Sequence, residues 1–327
     1  MIVFFGMDGT YSATLLSALA ATEVCPTLVV IAAQQPPTSR SPLVRLETNR
    51  PRPGESGKRS AQRGEGETRF ATSVRLGELA HDLGIDALTT SDPDALRARA
   101  ELNARAPEAF VVGGFPRLLS RQVLALPRRG GINVHPGRLP TERGPSPVFW
   151  ALREGRTRLG FTVHMLDAGE DTGDIISGGE YAIEPGTDLQ DVLRRCALSA
   201  APQMVRAVRG LLAGDLVRIP QPRDVRARCP RPGFRDGRID PSKPAEAVLT
   251  FVAGCARSHS LFVEIAGDRF FVAGVRSCDP RRVLPCEYIL TGDRMLLRTN
   301  PGVVELELKD GGVIFSAEYE EEEEEEE

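Results

Sequence analysis

The chain opens with an apolar run, Ile2–Phe5, then a glycine-rich turn, Gly6-Met7-Asp8-Gly9-Thr10. Apolar positions then recur at Leu15, Leu16 and Leu19 within Tyr11–Ala21. A short unbroken apolar run reads as a strand buried on both faces, and a spacing of three and four as one face of a helix. A second buried run follows at Thr27–Ala33 (TLVVIAA). Strand, glycine turn, helix and strand in this order predict a parallel α/β sheet.

After an interruption at 34–69 the alternation resumes. It predicts a helix over Ala71–Leu83, a strand at Asp86–Thr90 and a helix capped by Asp92 that runs to about Ala104. A buried strand at Ala109–Gly113, a short helix at Ser120–Leu126 and a strand at Gly131–His135 come next. A helix near Pro147–Glu154, strands at Gly160–Leu166 and Asp174–Ala182, and a long helix at Asp188–Ala213 complete this part. Residues 214–243 are rich in Pro, Arg and Gly and read as a linker. A helix from Ala245 and short strands at Leu261–Ile265, Arg269–Ala273, Met295–Arg298 and Val303–Leu308 predict a small β domain over 244–316. The expected organisation is therefore a catalytic-sized α/β domain at 1–213, a linker, the β domain and a tail at 317–327.

Two segments fall outside this pattern. Residues 34–69 carry eight basic side chains, Arg40, Arg45, Arg50, Arg52, Lys58, Arg59, Arg63 and Arg69, against four acidic ones. A long stretch without periodicity inside a compact domain is either flexible or functional, and its positive charge suits an anionic partner. The end, EYEEEEEEEE, repels itself and has nothing to bury, so disorder is expected there.

Composition narrows the class. Among 327 residues, 41% are hydrophobic and 26% charged, the profile of a soluble globular protein, and the formal net charge of −4 gives no global sign of a nucleic-acid binder. Six cysteines, at 25, 196, 229, 255, 278 and 286, form no CxxC pair, which fits a reducing cytoplasm and idle thiols. The first segment lacks a basic leader and carries Asp8, so it does not read as a signal peptide, and no apolar run is long enough to span a bilayer.

The chemistry gathers in two stretches. In GGINVHPGRLPTERGPSP (130–147), Asn133 and His135 point to the same side of a strand, because alternate side chains share a face, and Pro136 ends the strand. Ligands of parallel sheets bind at the carboxyl ends of strands, so this is a place for a site. Alone, an N-x-H pair is more often structural. The second stretch, GFTVHMLDAGEDTGDII (160–176), runs a strand into a loop with Asp167, Glu170, Asp171 and Asp174, broken by Gly169 and Gly173. A carboxylate beside an imidazole orients it and stabilises its cation, and an amide with an imidazolium can bind a developing oxyanion. Together they form a kit for acyl transfer to an amine. His164 lies mid-strand and reads as structural. His81 and His259 lack partners at metal-ligand spacing, no zinc or P-loop motif occurs, and the acidic loop lacks EF-hand spacing, so no metal is expected.

N-V-H-P-G-R-L-P, R-G-P-S-P and D-A-G-E-D-T-G-D-I together resemble the signature of the 10-formyltetrahydrofolate-dependent formyltransferases, including the 36-residue separation of His135 and Asp171. The likeness covers roughly residues 1–210 and continues more weakly at D-G-R-I-D-P-S-K-P-A-E (236–246), similar to the junction in the branch that formylates methionyl-tRNA. It implies a Rossmann-like open, mostly parallel sheet with helices on both faces, followed by a small OB-like β-barrel. It implies Asn133, His135 and Asp171 as catalytic residues and 10-formyltetrahydrofolate as co-substrate. Folate would lie against the segment holding Phe115, Arg117 and Leu119, with Leu124 and the loop residues Asp167, Gly169 and Glu170 adding contacts. Phe115, Leu119 and Leu124 are equally well read as ordinary core. Some positions depart from the methionyl-tRNA pattern: Gly137-Arg138 stands where Ser-Leu is usual, Met7-Asp8-Gly9 in the first loop, and Pro145-Ser146-Pro147 for Ala-Ala-Pro. They leave the chemistry in place and open the acceptor. Methionyl-tRNA, held through the basic 36–69 loop and the C-terminal domain, is the first expectation, and an amino-sugar nucleotide or other small amine the second. A folate- or RNA-binding module without catalysis comes third.

Overall fold

The computed structural model describes residues 1–33, 44–47, 74–222, 224–225 and 228–315. The basic stretch at 34–69 lies outside these residues apart from 44–47, and so does the acidic tail beyond 315. The chain divides into two compact units: Met1–Thr141, Phe161–Gly179 and Arg194–Arg226 form one, and Glu142–Gly160, Glu180–Leu193 and Ala227–Glu327 the other.

The apolar runs become strands β1 (Ile2–Gly6), β2 (Leu28–Ala32), β4 (Asp86–Thr90), β5 (Ala109–Val112) and β6 (Gly131–His135). They pair in parallel in the order β4-β2-β1-β5-β6. β3 (Val44–Glu47) adds an antiparallel edge beside β4. On the other side β7 (Arg158–Met165) runs antiparallel to β6, and β8 (Ile175–Ala182) completes an eight-stranded sheet. The sheet is thus mostly parallel, with antiparallel strands at its flanks. Every residue of β1, β2 and β5 is buried, as a central parallel strand requires.

One face of the sheet is built from alternate residues, as the two-residue period dictates. Val3 and Phe5, Leu28 and Val30, and Phe110 and Val112 pack with Leu88, Leu102 and Val123 into one core. Phe5 meets Phe110 edge-on at 4.8 Å. Each such side chain removed from water contributes roughly 1.5–3 kcal/mol. The helices before residue 214 are α1 (Thr10–Ala20), α2 (Leu76–Asp82), α3 (Leu96–Ala104), α4 (Arg121–Leu124), α5 (Pro147–Arg153) and α6 (Leu189–Ala213). Asp92 does not cap α3. The residue before that helix is Ala95, which makes no side-chain cap, and the Asp92 carboxylate instead accepts from the Asp94 amide at 2.9 Å. An Asx-turn has taken the hydrogen bond expected for the helix.

In the second unit, α7 (Ala245–Cys255) precedes a five-stranded antiparallel sheet in the order β11-β12-β13-β10-β9. Its strands are β9 (Leu261–Ile265), β10 (Asp268–Asp279), β11 (Tyr288–Thr291), β12 (Arg294–Arg298) and β13 (Val303–Phe315). Phe234 stacks on Phe262 at 4.9 Å, and the Arg269 guanidinium lies over both rings. Among the described residues no helix is long and apolar enough to cross a membrane.

Candidate active site

The site is built on the carboxyl end of β6, the last parallel strand of the series. His135 is the final residue of that strand and is 3% exposed, while Asn133 is half-buried. The antiparallel register sets what they face: Asn133 lies opposite His164, and His135 opposite Thr162. Thr162 is buried, and its hydroxyl donates to the Gly137 carbonyl at 2.8 Å and accepts from the Leu139 amide at 3.1 Å. This single hydroxyl fixes the turn that leaves the strand.

Asp171 comes from the loop between β7 and β8. The loop carries its own turn chemistry. The Asp167 carboxylate accepts from the Gly169 amide at 3.1 Å and from the Thr172 hydroxyl at 2.8 Å. Gly173 lies so close to β7 that a Cβ there would sit 1.9 Å from the Met165 carbonyl oxygen. The Met165 amide donates to the Asp174 carbonyl at 2.8 Å, so the loop returns directly onto the strand. Asp171 adopts φ +54°. Left-handed backbone costs an L-residue roughly 1–2 kcal/mol, and Asp is among the types that tolerate it best.

This conformation brings the Asp171 carboxylate to three side chains. One oxygen is 3.2 Å from Asn133 Nδ2 and 3.5 Å from His164 Nε2, and the other is 3.5 Å from His135 Nδ1. The three residues expected to be catalytic therefore converge. A fourth, His164, joins them, although its mid-strand place in the sequence reads as structural. It is 2% exposed; its Nδ1 lies 2.8 Å from the Met165 carbonyl and its Nε2 3.0 Å from Asn133 Nδ2. A carbonyl only accepts, so Nδ1 carries a proton, and with Asn133 Nδ2 as the donor Nε2 meets it with a lone pair. The two hydrogens of Asn133 Nδ2 are then directed at His164 and Asp171. The signal in the sequence is the shared face of Thr162 and His164 in β7, but only the register puts that face against Asn133.

The residues expected against folate fall in two places. Phe115 packs edge-on against Phe5 at 5.5 Å and is half-buried, Leu119 is in the core at 7% exposure, and Leu124 packs against the same core. Arg117 is exposed. Asp167 and Gly169 are exposed in the Asp171 loop and Glu170 is half-buried. All of these residues, with the cluster of Asn133, His135, His164 and Asp171, belong to the first unit.

An amide, two imidazoles and a carboxylate within hydrogen-bonding or ion-pairing reach, nearly closed to water, can stabilise negative charge on an oxygen and accept a proton nearby. The chain is similar to known proteins. A family described as formyl transferase matches residues 61–208. A methionyl-tRNA formyltransferase of Corynebacterium aurimucosum is 32% identical over 259 residues, covering 76% of this chain and 75% of that protein. One from Koribacter versatilis is 31% identical over 199 residues, covering 61% of this chain and 64% of that protein. Among solved structures, an N-formyltransferase from Helicobacter canadensis, in complex with folinic acid and dTDP-3-aminofucose, aligns with a TM-score of 0.61 at 13% identity, covering 94% of this chain and all (100%) of that one. A methionyl-tRNA formyltransferase from Clostridium thermocellum aligns with a TM-score of 0.53 at 11% identity, covering 94% and 99%. At such identities these two likenesses speak for the fold alone. The sequence relatives carry the conclusion that the chain belongs to the formyl transferase family and is a formyltransferase enzyme.

Proposed function

We propose that the chain transfers the formyl group of 10-formyltetrahydrofolate to the amino group of methionyl-tRNA. The observation that carries the chemistry is the convergence of Asn133, His135 and Asp171 at 3.2–3.5 Å at the end of β6. In this reading His135 engages Asp171 through Nδ1 and the formyl oxygen through Nε2. Asn133 turns one amide hydrogen from Asp171 or His164 to the same oxygen as the acceptor amine attacks the formyl carbon. Negative charge that develops on the oxygen is met by two donors, a contribution typically worth 10²–10³-fold each in rate, as order of magnitude. Asp171 stabilises the positive charge on His135 and receives the amine proton directly or through water. Breaking the bond from the formyl carbon to the donor nitrogen then returns a proton to that nitrogen.

The half-buried Phe115 ring, with Leu119 and Leu124, offers an apolar wall to the pterin; Arg117 offers charge. The backbone of Asp167, Gly169 and Glu170 offers polar groups, since the Asp167 carboxylate is engaged with Thr172. The relatives named for methionyl-tRNA support that acceptor. So does the second β unit, read as an OB-like barrel that contacts tRNA together with the basic 36–69 stretch. The enzyme is then a cytoplasmic one that needs no metal. Fold likeness to sugar N-formyltransferases, with TM-scores of 0.61 and 0.62, and the Gly137-Arg138 departure favour an amino-sugar nucleotide as the second reading.

The test is release of tetrahydrofolate from 10-formyltetrahydrofolate with methionyl initiator tRNA as acceptor. Acceptor-dependent release, reduced by about 10²–10⁴-fold in Asn133→Ala, His135→Ala and Asp171→Ala, is expected. Release only with an amino-sugar nucleotide would move the acceptor and keep the chemistry. Turnover that survives all three changes would overturn the mechanism.

A further inference from the structure

Asp171 needs more than its own loop to hold its place. Gln221 is 9% exposed and lies in the stretch that follows α6. Its Nε2 donates to the Asp171 carbonyl at 3.0 Å and to the Gly173 carbonyl at 2.6 Å. Both amide hydrogens thus satisfy carbonyls two residues apart, on either side of Thr172. Two residues earlier in the same stretch, Ile219 exchanges both backbone hydrogen bonds with Ile175, each 2.8 Å. The catalytic loop is therefore gripped from two sides. β7 holds one side through Met165 and the close approach of Gly173. The 219–221 stretch holds the other.

From this geometry we propose that Gln221 is a positioning residue for the reaction, holding Asp171 in its left-handed conformation so that its carboxylate faces Asn133 and His135. The argument is geometric. At φ +54° the direction of the Asp171 side chain depends on the backbone staying in a sparsely populated region. A buried carbonyl left without a donor pulls its peptide toward another orientation. Relaxation of φ at 171 swings Cβ, and a displacement of about 1 Å at a reacting group costs on the order of 100-fold in rate. Gln221 meets the loop at the backbone carbonyls of Asp171 and Gly173, and its effect on the reaction passes through Asp171. The proposal rests on the formyl-transfer reading of Asn133, His135 and Asp171.

The experiment uses the full chain with Gln221→Met, which keeps the length and removes both donors. Gln221→Asn keeps the amide but shortens its reach. Gln203→Ala is the control: Gln203 donates to the Gly178 carbonyl at 3.1 Å, away from the Asp171 loop. Steady-state kinetics, the pH profile of kcat/KM and amide hydrogen exchange across 167–175 are measured for each, with thermal unfolding as the check on folding. Gln221→Met is expected to lower kcat by about 10- to 100-fold with KM for the formyl donor within roughly threefold. The His135-dependent limb of its pH profile should move to lower pH, because His135 faces the Asp171 carboxylate at 3.5 Å and loses it. Exchange across the loop should speed up, and Gln203→Ala should match the wild type throughout. A purely structural role would lower the melting temperature and leave the pH limb in place. Wild-type kcat and pH limb in either folded Gln221 variant overturn the proposal, and Gln221→Asn decides if Gln221→Met does not fold. If the wild type transfers no formyl group, the functional reading falls by itself. The exchange comparison then still decides whether Gln221 holds the loop.

Discussion

Asn133 and His164 are register partners across β6 and β7, and Asn133 Nδ2 lies 3.0 Å from His164 Nε2. The contact turns a triad into a cluster of four, because the Asp171 carboxylate reaches both residues. It also sets the Asn133 amide. The Asp171 carboxylate accepts from Asn133 Nδ2 at 3.2 Å, so the amide presents its nitrogen, not its oxygen, to the interior of the site.

His164→Phe keeps a planar ring in the strand and removes the acceptor. One hydrogen bond of this kind is worth about 1–3 kcal/mol when a buried partner is left unsatisfied. The expected result is a kcat/KM lower by roughly 10- to 100-fold, with the chain still folded by circular dichroism. Unchanged kinetics in a folded His164→Phe would return His164 to a packing role.

Gly173→Ala tests the close approach of the loop to β7. The new Cβ would meet the Met165 carbonyl oxygen at 1.9 Å, against backbone that has no rotamer to yield. A loss of about 1–3 kcal/mol in stability is expected, seen as a lower denaturant midpoint, together with lost activity as Asp171 is pushed off its partners. A variant as stable and active as the wild type would show that the loop has slack.

His259 gives a pH dependence to stability. Burial pulls its pKa below the usual histidine value, and the ring lies 4.6 Å from Phe149. The folded form then holds fewer protons than the unfolded form. The contribution is fully present above about pH 6.5, the unfolded value, and is lost as pH falls from there through the lower folded value. Melting temperatures of the wild type and His259→Gln between pH 7.5 and pH 5 check this. The wild type should lose more stability than the variant on acidification, and parallel curves would refute it.

Much of the sheet and half of the site are legible in the residues themselves. The apolar runs at Ile2–Phe5, Thr27–Ala33 and Gly131–His135 fold as strands because parallel strands buried on both faces need such runs, and few alternatives satisfy that need. Asn133 and His135 share a face by the two-residue period alone. Other features are hidden. Tyr288–Thr291 forms β11 with only intermediate or exposed residues, and its short apolar run lacks the apolar–polar alternation of a half-buried strand. Ile219 and Gln221 sit in a Pro- and Arg-rich stretch that reads as a linker, yet Ile219 pairs with Ile175 at the start of β8 and Gln221 with the Asp171 loop.

Periodicity and local turn chemistry determined which segments are strands, where β6 ends, and which residue types could carry acyl transfer, because these depend on neighbours a few positions away. Only the tertiary structure decided that His164 faces Asn133 and that Gln221 holds the Asp171 backbone. Both depend on the antiparallel register of β6 with β7 and on the return of the chain after α6. No tight turn sets that register, since 22 residues separate His135 from Arg158, and contacts across such a separation are fixed by packing rather than by local sequence.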